Sequence, residues 1–238
     1  MKPKRIFLIR HGQSEGNVDY ESYKYKPDYT LLLTELGNQQ ATEAGKLLKE
    51  IIQDEKIMFY ISPLWRTRQT FEGVAESFDP KQYTWREDPR IREQEWGHLR
   101  EVEESHRVER EREEFGTFYY RIPDGESCAD VFDRMSDFFN TLHRDFEKPD
   151  FPENCILVTH GTSIRCILMR WFHWTVEEFE STANPKNCEI FQMQLQPGNK
   201  YKLLTPLKTK EITGPFTFKW KNPCRNIIIQ NTNEHNNI

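Results

Sequence analysis

Short apolar runs of the kind that form buried strands recur along the chain at 6–9, 57–62 and 155–159. After the first of these runs, apolar residues recur at helical spacing over 34–52. The second run leads directly into a predicted helix that opens at Pro63 and continues to about Phe78. Strands that alternate with helices are typical of α/β proteins with a mostly parallel central sheet. We therefore expect a three-layer α/β/α sandwich, with a further short strand at 83–86.

The C-terminal part of the sequence predicts strand pairing of another kind. Segment 188–195 is joined to 201–204 by a Pro-Gly-Asn turn, which is typical of a hairpin. A hairpin joins antiparallel strands, so we expect one antiparallel strand at the edge of the sheet.

The length of 238 residues suits one large α/β domain. Residues 1–230 are predicted to form this single domain, with a helical insertion around 93–125, where Glu and Arg dominate. The segment 18–30, rich in Tyr and Lys, is interpreted as an ordered loop beside the functional site. The Asn-rich segment 231–238 is predicted to be a disordered polar tail.

Net charge and cysteine content indicate which partners and which cellular compartment suit this protein. The net charge of -5 argues against general binding to nucleic acid or to membrane surfaces. No apolar run approaches the ~20 residues that a membrane span needs. The five cysteines are odd in number, widely spaced and without zinc-ligand spacing. We therefore expect reduced thiols and a cytoplasmic protein with a small-molecule partner.

Charged and imidazole side chains follow the predicted strands. Arg10 and His11 come directly after the first strand, and Arg66 lies one turn beyond the second. His160 follows the strand at 155–159, and Glu93 comes after the short strand. Because the carboxyl ends of parallel strands share one edge of a sheet, these groups are expected to meet in one pocket. Two arginines and two histidines make an anion site, and guanidinium groups fit phosphate well.

Four motifs follow one another along the chain, and they are Arg10-His11-Gly12 with Ser14 and Asn17, Ser62-Pro-Leu-Trp-Arg66-Thr-Arg-Gln-Thr70, Glu93-Gln-Glu-Trp-Gly97 and Thr159-His160-Gly161-Thr-Ser163. In this order they resemble the histidine phosphatase superfamily, in the branch that also holds the cofactor-dependent phosphoglycerate mutases. The segments 25–28 and 118–127 look like those of eukaryotic mutase-like phosphatases. The resemblance implies a phosphoglycerate mutase-like fold and a phosphomonoesterase of the acid phosphatase type.

The resemblance also implies the chemical steps. His11 would attack phosphorus and carry the phosphoryl group as phosphohistidine. Glu93 would protonate the leaving oxygen and then activate the water that clears His11. These requirements predict an acidic optimum, roughly pH 5 to 6 from the ordinary pKa values of Glu and His.

Other motif residues are implied to bind the phosphate. Arg10, Arg66 and His160 would hold its equatorial oxygens, with His160 acting best as a cation. Asn17 and Gly161 would add neutral contacts. No metal or other cofactor is expected, because the cationic side chains do the electrostatic work of a metal.

Further residues are candidates for the side of the pocket that faces the rest of the substrate. They are Gln13, Tyr119 and Arg121.

Two alternatives remain open. A mutase that depends on 2,3-bisphosphoglycerate would use the same site, but the glycolytic mutases carry a Gly-Leu-Asn-Lys run and paired arginines after the acid. Here the same place reads Gly97-His-Leu-Arg-Glu-Val-Glu-Glu, which is strongly acidic and favours hydrolysis. The other alternative is a catalytically weak scaffold that binds phosphorylated partners, and the presence of all motif residues argues against it.

Overall fold

The computed structural model describes residues 2–97 and 102–210, so the predicted tail at 231–238 lies outside the described residues. The six strands of its sheet are β1 (Arg5–Arg10), β2 (Ile57–Ile61), β3 (Tyr83–Glu87), β4 (Asn154–Thr159), β5 (Ile190–Gln196) and β6 (Lys200–Leu203). Their order across the sheet is β3-β2-β4-β1-β5-β6.

The sheet is mostly parallel. β4 pairs in parallel with both β1 and β2, and β2 pairs in parallel with β3. β5 runs antiparallel to β1, and β6 runs antiparallel to β5. The antiparallel edge thus contains two strands rather than one, because both strands of the predicted hairpin join the sheet. The predicted fold class is confirmed.

Helices cover both faces of this sheet. The described part contains α1 (Glu15–Val18), α2 (Ser22–Tyr25), α3 (Glu35–Ile52), α4 (Trp65–Ala75), α5 (Val102–Phe115), α6 (Cys128–Phe146), α7 (Gly161–Phe172) and α8 (Val176–Glu180). Short 3-10 turns lie at Asp28–Thr30 and Pro89–Ile91. The predicted insertion around 93–125 contains α5. No helix of the described residues has the length and apolar character that a membrane span requires.

The two faces of β1 bury alternate residues in two separate cores. Phe7 and Ile9 pack in the core that α3 and α4 cover, whereas Ile6 and Leu8 pack in the core that α6 and α7 cover. This alternation follows from the period of two in a strand, which sends successive side chains to opposite faces. Two buried cores on one sheet make the three-layer sandwich.

The segment 18–30 is more helical than the sequence analysis predicted. Instead of an ordered loop it contains the end of α1, all of α2 and the Asp28–Thr30 turn. The sequence signal for α1 is a capping box at its start, in which the backbone N–H of Ser14 donates to Asn17 Oδ1 at 3.1 Å. The segment folds back over the carboxyl edge of the sheet and forms one wall of the cavity described below.

Candidate active site

The nucleophile candidate, His11, leaves the sheet directly after β1 and is 4% exposed. Its backbone N–H donates to Thr159 O at 2.9 Å, which ties it to the end of β4. Its ring Nδ1 lies 2.7 Å from Gly12 O. Because a carbonyl oxygen only accepts hydrogen bonds, this contact assigns the proton to Nδ1 and leaves the lone pair on Nε2.

Gly12 is needed where the nucleophile loop meets α3. A Cβ on Gly12 would lie 2.4 Å from Gly37 O, and a Cβ on Gly37 would lie 2.1 Å from Gln13 O. The Gly12 N–H also donates to Thr70 Oγ1 on α4 at 3.0 Å. The loop after β1 is therefore pressed between two helices, which holds the His11 backbone in place.

The second histidine, His160, is fully buried and caps α7 at the end of β4. Its ring centroid lies 5.1 Å from that of His11. Its Nε2 lies 2.7 Å from Ser62 Oγ at the end of β2, and its Nδ1 has no hydrogen-bond partner among the described residues. Because β4 lies between β1 and β2, the two imidazoles and Ser62 meet at one edge of the sheet.

Two arginines set the electrostatics around these imidazoles. Burial, and then the positive charges of Arg66 and Arg10, hold the pKa of His11 well below its ordinary value of 6.5. Burial, and then Arg66, act on the pKa of His160 in the same direction. Burial also lowers the pKa of Arg10, while the nearby carboxylate of Glu93 opposes this shift. Both imidazoles are therefore neutral near neutral pH.

Arg66 lies in the first turn of α4 and is 4% exposed. Its Nη1 donates to Asp28 O at 2.9 Å and to Asp28 Oδ1 at 3.0 Å. Its Nη2 donates to Asp28 Oδ2 at 3.2 Å. A carboxylate from the segment over the sheet edge thus pairs end-on with a buried guanidinium of the site.

The loop that carries Glu93 is held through its backbone carbonyl groups. Thr159 Oγ1 donates to Ile91 O at 2.6 Å, and Ser163 Oγ donates to Arg92 O at 2.6 Å. Arg134 Nη2 on α6 donates to Glu93 O at 3.0 Å. Residues of β4, α6 and α7 therefore fix the acid candidate, whose carboxylate lines the same cavity as His11.

A second carboxylate supports this loop from the turn before α6. Glu126 pairs with Arg92 at 2.7 Å and with Arg134 at 2.9 Å. Its Oε2 accepts from the Glu95 N–H at 3.0 Å. Gly97 follows with a φ of 65°, and a Cβ there would lie 2.2 Å from Pro123 O, so the motif glycine is required by its conformation and by this close approach.

Asn17 lies at the cavity wall beside the nucleophile loop. Its Oδ1 accepts from Ser14 N–H at 3.1 Å and from Asn187 Nδ2 at 3.0 Å. Asn187 Nδ2 also donates to His11 O at 3.1 Å. These bonds occupy the amide oxygen of Asn17 and leave its NH₂ group as the donor for an anion.

The cavity has a volume of about 1050 Å³ and includes Arg10, His11, Asn17, Arg66 and Glu93 in its lining. Its outer wall carries aromatic side chains from the segment over the sheet edge and from the loop after the acid. They are Tyr20, Tyr23, Tyr25, Tyr29 and Trp96.

Tyr23 is the most enclosed part of that outer wall. Burial is the main reason that the pKa of its hydroxyl rises to about 12. The hydroxyl packs on Gly16, where a Cβ would lie only 2.5 Å away. Gly16 therefore allows the tyrosine to close over the nucleophile loop.

Two further arginines, Arg112 and Arg165, line the end of the cavity that α5 and α7 form. Arg112 Nη2 donates to Gln94 Oε1 at 2.9 Å. Arg165 donates through Nε to Thr182 Oγ1 and through Nη2 to Phe179 O, both at 2.9 Å. This end of the cavity therefore holds two guanidinium groups, with the α5 residues Glu109 and Glu113 also in its lining.

The structure brings together Arg10, His11, Arg66, Glu93 and His160, with Asn17 at the same wall. Four other predicted residues lie outside the cavity lining. Gln13 Oε1 accepts from Thr34 at the start of α3. Tyr119 is 70% exposed, and Arg121 pairs with Asp130 at 2.6 Å. Gly161 lies against Asn184, where a Cβ would be 2.4 Å from Oδ1.

Several residues of the site escaped the sequence analysis. Asp28 and Tyr23 belong to the segment interpreted as a loop beside the site, and the resemblance of 25–28 assigned no role to Asp28. Asn187 lies before β5, and nothing in its neighbourhood marks it as a site residue. Among the described residues, no group of three or more His, Cys, Asp or Glu side chains is arranged to hold a metal ion.

Comparisons with known proteins show the family of the chain. The model of the histidine phosphatase superfamily (branch 1) matches residues 6–205. The phosphoglycerate mutase-like protein AT74 of Arabidopsis thaliana is 43% identical over 84% of this chain and 68% of its own. The broad-range acid phosphatase DET1 of Saccharomyces cerevisiae is 30% identical over 91% of this chain and 93% of its own.

Solved structures share the fold at lower identity. A mycobacterial glucosyl-3-phosphoglycerate phosphatase is 21% identical, with a TM-score of 0.67 over 86% of this chain and 99% of its own. YhfR of Bacillus stearothermophilus is 20% identical, with a TM-score of 0.66 over 88% of this chain and 99% of its own. The predicted family and the predicted phosphatase class are confirmed. The chain belongs to branch 1 of the histidine phosphatase superfamily.

Proposed function

We propose that the protein hydrolyses small phosphomonoesters through a phosphohistidine on His11, without a metal ion and best in mildly acidic solution. One observation carries the proposal. The Nδ1 of His11 is bound to Gly12 O, so its Nε2 lone pair is available beside two arginines. A neutral imidazole within an anion site is what attack on phosphorus requires.

The reaction has two steps. In the first, His11 Nε2 forms a bond to phosphorus while the bond from phosphorus to the leaving oxygen breaks, and Glu93 gives its proton to that oxygen. In the second, water attacks the phosphohistidine, Glu93 takes back a proton, and phosphate leaves as His11 is restored. Glu93 suits both roles because it lines the cavity on a loop that is held through its backbone.

Arg10, Arg66 and His160 would hold the phosphoryl oxygens. The unpartnered atom of His160 is Nδ1, which supplies a donor once it carries a proton. The pKa of His160 is lowered by burial and by Arg66, which opposes the cationic role predicted from the sequence. A phosphate dianion beside the ring would raise that pKa again, so His160 would become cationic only with substrate bound.

The lowered pKa of His11 supports the acidic optimum. The nucleophile stays unprotonated at pH values where a free histidine is mostly charged. The guanidinium groups of Arg10 and Arg66 supply the positive charge that a metal ion supplies in other phosphatases. The described cysteines are free thiols, which supports the predicted cytoplasmic location.

A second candidate is phosphoglycerate mutase activity, which Arg112 and Arg165 at the far end of the cavity favour. Both arginines would provide positive charge for a second anionic group, which the acidic segment after Gly97 does not. Hydrolysis remains the proposal because the yeast relative that matches along nearly its whole length is named an acid phosphatase.

The test is to measure phosphate release from nitrophenyl phosphate with and without EDTA, and interconversion of 2- and 3-phosphoglycerate with 2,3-bisphosphoglycerate present. We expect hydrolysis that survives EDTA and far exceeds interconversion. Interconversion that exceeds phosphate release would make the protein a mutase. Loss of turnover in EDTA that a divalent ion restores would refute metal independence. Absence of both activities would leave the alternative of a scaffold that binds phosphorylated partners.

A further inference from the structure

The ion pair between Arg66 and Asp28 is a feature that the proposed reaction leaves without a role. The Arg66 side chain is 4% exposed, while the Asp28 side chain is 48% exposed at the cavity wall. A carboxylate this close to a phosphate site repels the phosphate dianion. A carboxylate at this place therefore needs a favourable effect on the reaction that offsets the repulsion. The geometry of the ion pair with Arg66 indicates what that effect is.

Asp28 occupies one end of the guanidinium group. Its backbone oxygen and its Oδ1 take the two protons of Arg66 Nη1, at 2.9 and 3.0 Å, and its Oδ2 takes one proton of Nη2. A guanidinium carries five N–H donors in a rigid plane. The remaining two are the Nε proton and the second Nη2 proton, which lie along the side edge of the group.

That side edge is itself a two-pronged donor. Two parallel N–H groups fit two oxygens of a phosphoryl group, as they fit a carboxylate. With Asp28 at the end, rotation of Arg66 about its last torsions would break three hydrogen bonds. The pair thus fixes which edge of Arg66 is offered to an anion beside His11.

The backbone of Asp28 is held firmly enough for this task. Its 3-10 turn is closed by Thr30 N–H donating to Pro27 O at 2.9 Å. Glu15 ties down the segment on both sides of the turn, accepting from Lys26 Nζ at 2.8 Å and from Leu32 N–H at 3.2 Å. Asp28 therefore acts on Arg66 from a fixed point of the chain.

We propose that Asp28 is a positioning residue for phosphoryl transfer, which holds Arg66 end-on so that its Nε–Nη2 edge meets the phosphoryl oxygens. The proposal rests on the proposed function, because it assigns Asp28 to the same reaction. In the transition state the phosphoryl oxygens have one required geometry. A carboxylate that orients an arginine toward them therefore stabilises the transition state. The same carboxylate weakens ground-state phosphate binding through its charge.

Because Asp28 stabilises the transition state but weakens ground-state phosphate binding, its substitution should affect the two differently. Asp28→Asn keeps the size of the side chain but removes its charge. With nitrophenyl phosphate as substrate, kcat/KM should fall by about tenfold, and the inhibition constant of orthovanadate should rise by about the same factor. The inhibition constant of inorganic phosphate should change by less than about threefold or become smaller, since lost orientation and lost repulsion oppose each other.

The matched control is Glu21→Gln, which makes the same chemical change in a carboxylate of the same segment that is 49% exposed and pairs with Lys24 rather than with Arg66. It should leave kcat/KM within about twofold of the parent. A second background, Arg66→Lys, removes the fork that Asp28 orients. Adding Asp28→Asn to it should cost less than about twofold, because the two residues act as one unit.

Thermal unfolding of each variant checks that the fold is intact. The proposal is overturned if Asp28→Asn leaves kcat/KM unchanged or raises it, if vanadate and phosphate weaken equally, or if Glu21→Gln has the same effect. It is also overturned if the Asp28 effect persists in Arg66→Lys. A parent protein that releases no phosphate from any substrate would instead refute the proposed function.

Discussion

The two walls of the cavity are built in different ways. At the sheet edge, His11 and His160 follow adjacent strands, are nearly or fully buried, and are tied to neighbouring strands by backbone and side-chain bonds. The outer wall comes from short helices and loops over the sheet edge and from α5, and it includes Tyr25 and Tyr29, which are 81% and 58% exposed. The sheet edge therefore suits the chemical step, and the outer wall suits the choice of leaving group.

The largest effect should come from the nucleophile at the sheet edge. His11→Ala removes the only lone pair placed for attack in the proposed mechanism, so rapid acid-labile, alkali-stable phosphoryl labelling should disappear. His106→Ala, a change at an exposed position of α5, is the control and should label as the parent does. Equal labelling of His11→Ala would remove the sheet edge from the chemical step.

The acid should come next in size. Glu93→Gln removes the proton donor but keeps the side-chain shape, so hydrolysis of an alkyl phosphate should slow by about 10²–10⁴. Nitrophenyl phosphate should suffer less in the first step, because its leaving group needs less protonation. Equal losses on both substrates, in single-turnover measurements, would point to Glu95 as the acid instead.

The outer wall should affect recognition and not chemistry. Arg112→Gln removes a guanidinium that lines the cavity, so KM for 2,3-bisphosphoglycerate should rise by about tenfold, the cost of one charge-assisted hydrogen bond. For nitrophenyl phosphate, kcat/KM should change by less than about twofold, because that substrate has no second anionic group. A common loss on both substrates would show that the two walls are not separable.

The buried imidazoles should make stability depend on pH. The folded-state pKa values of His11 and His160 lie well below 6.5, so the unfolded chain binds more protons as the pH falls through that value. The free energy of unfolding should therefore decrease below about pH 6.5, by at most about 1.4 kcal/mol per pH unit for each histidine. Thermal unfolding of His11→Asn should show a shallower slope, and an unchanged slope would contradict this account.

The smallest effect should come from the bonds that hold the acid loop. Ser163→Ala removes the hydroxyl that donates to Arg92 O at 2.6 Å, which should cost about 1 kcal/mol of stability. Turnover of alkyl phosphates should fall a few-fold while nitrophenyl phosphate is spared, which is the Glu93 pattern in weaker form. Denaturant unfolding and the two substrates together would check it, and a uniform loss on both would exclude the positioning role.

The same contrast explains what the sequence could predict. The ends of strands can be predicted from sequence. The length of each apolar run, the change to polar residues after it and the parallel pairing together place Arg10, His11 and His160 at one edge of the sheet. The end-on pair of Arg66 with Asp28 depends on how a segment without clear periodicity folds back over that edge. No local pattern encodes such a contact, and the same reason hid Asn187. Arg121 was predicted from its neighbourhood in sequence, but it pairs with Asp130 outside the cavity.

The position of β4 between β1 and β2 has a consequence for how the protein matures. The strand that carries His160 is made some 150 residues after the one that carries His11, counting from Arg5–Arg10 to Asn154–Thr159. During synthesis the nucleophile and Arg66 emerge first, but their neighbouring strands cannot come together until β4 enters between them. The reaction centre thus forms late, by long-range pairing that is slow compared with helix formation. A nascent or truncated chain that ends before β4 should therefore bind no phosphate at this edge.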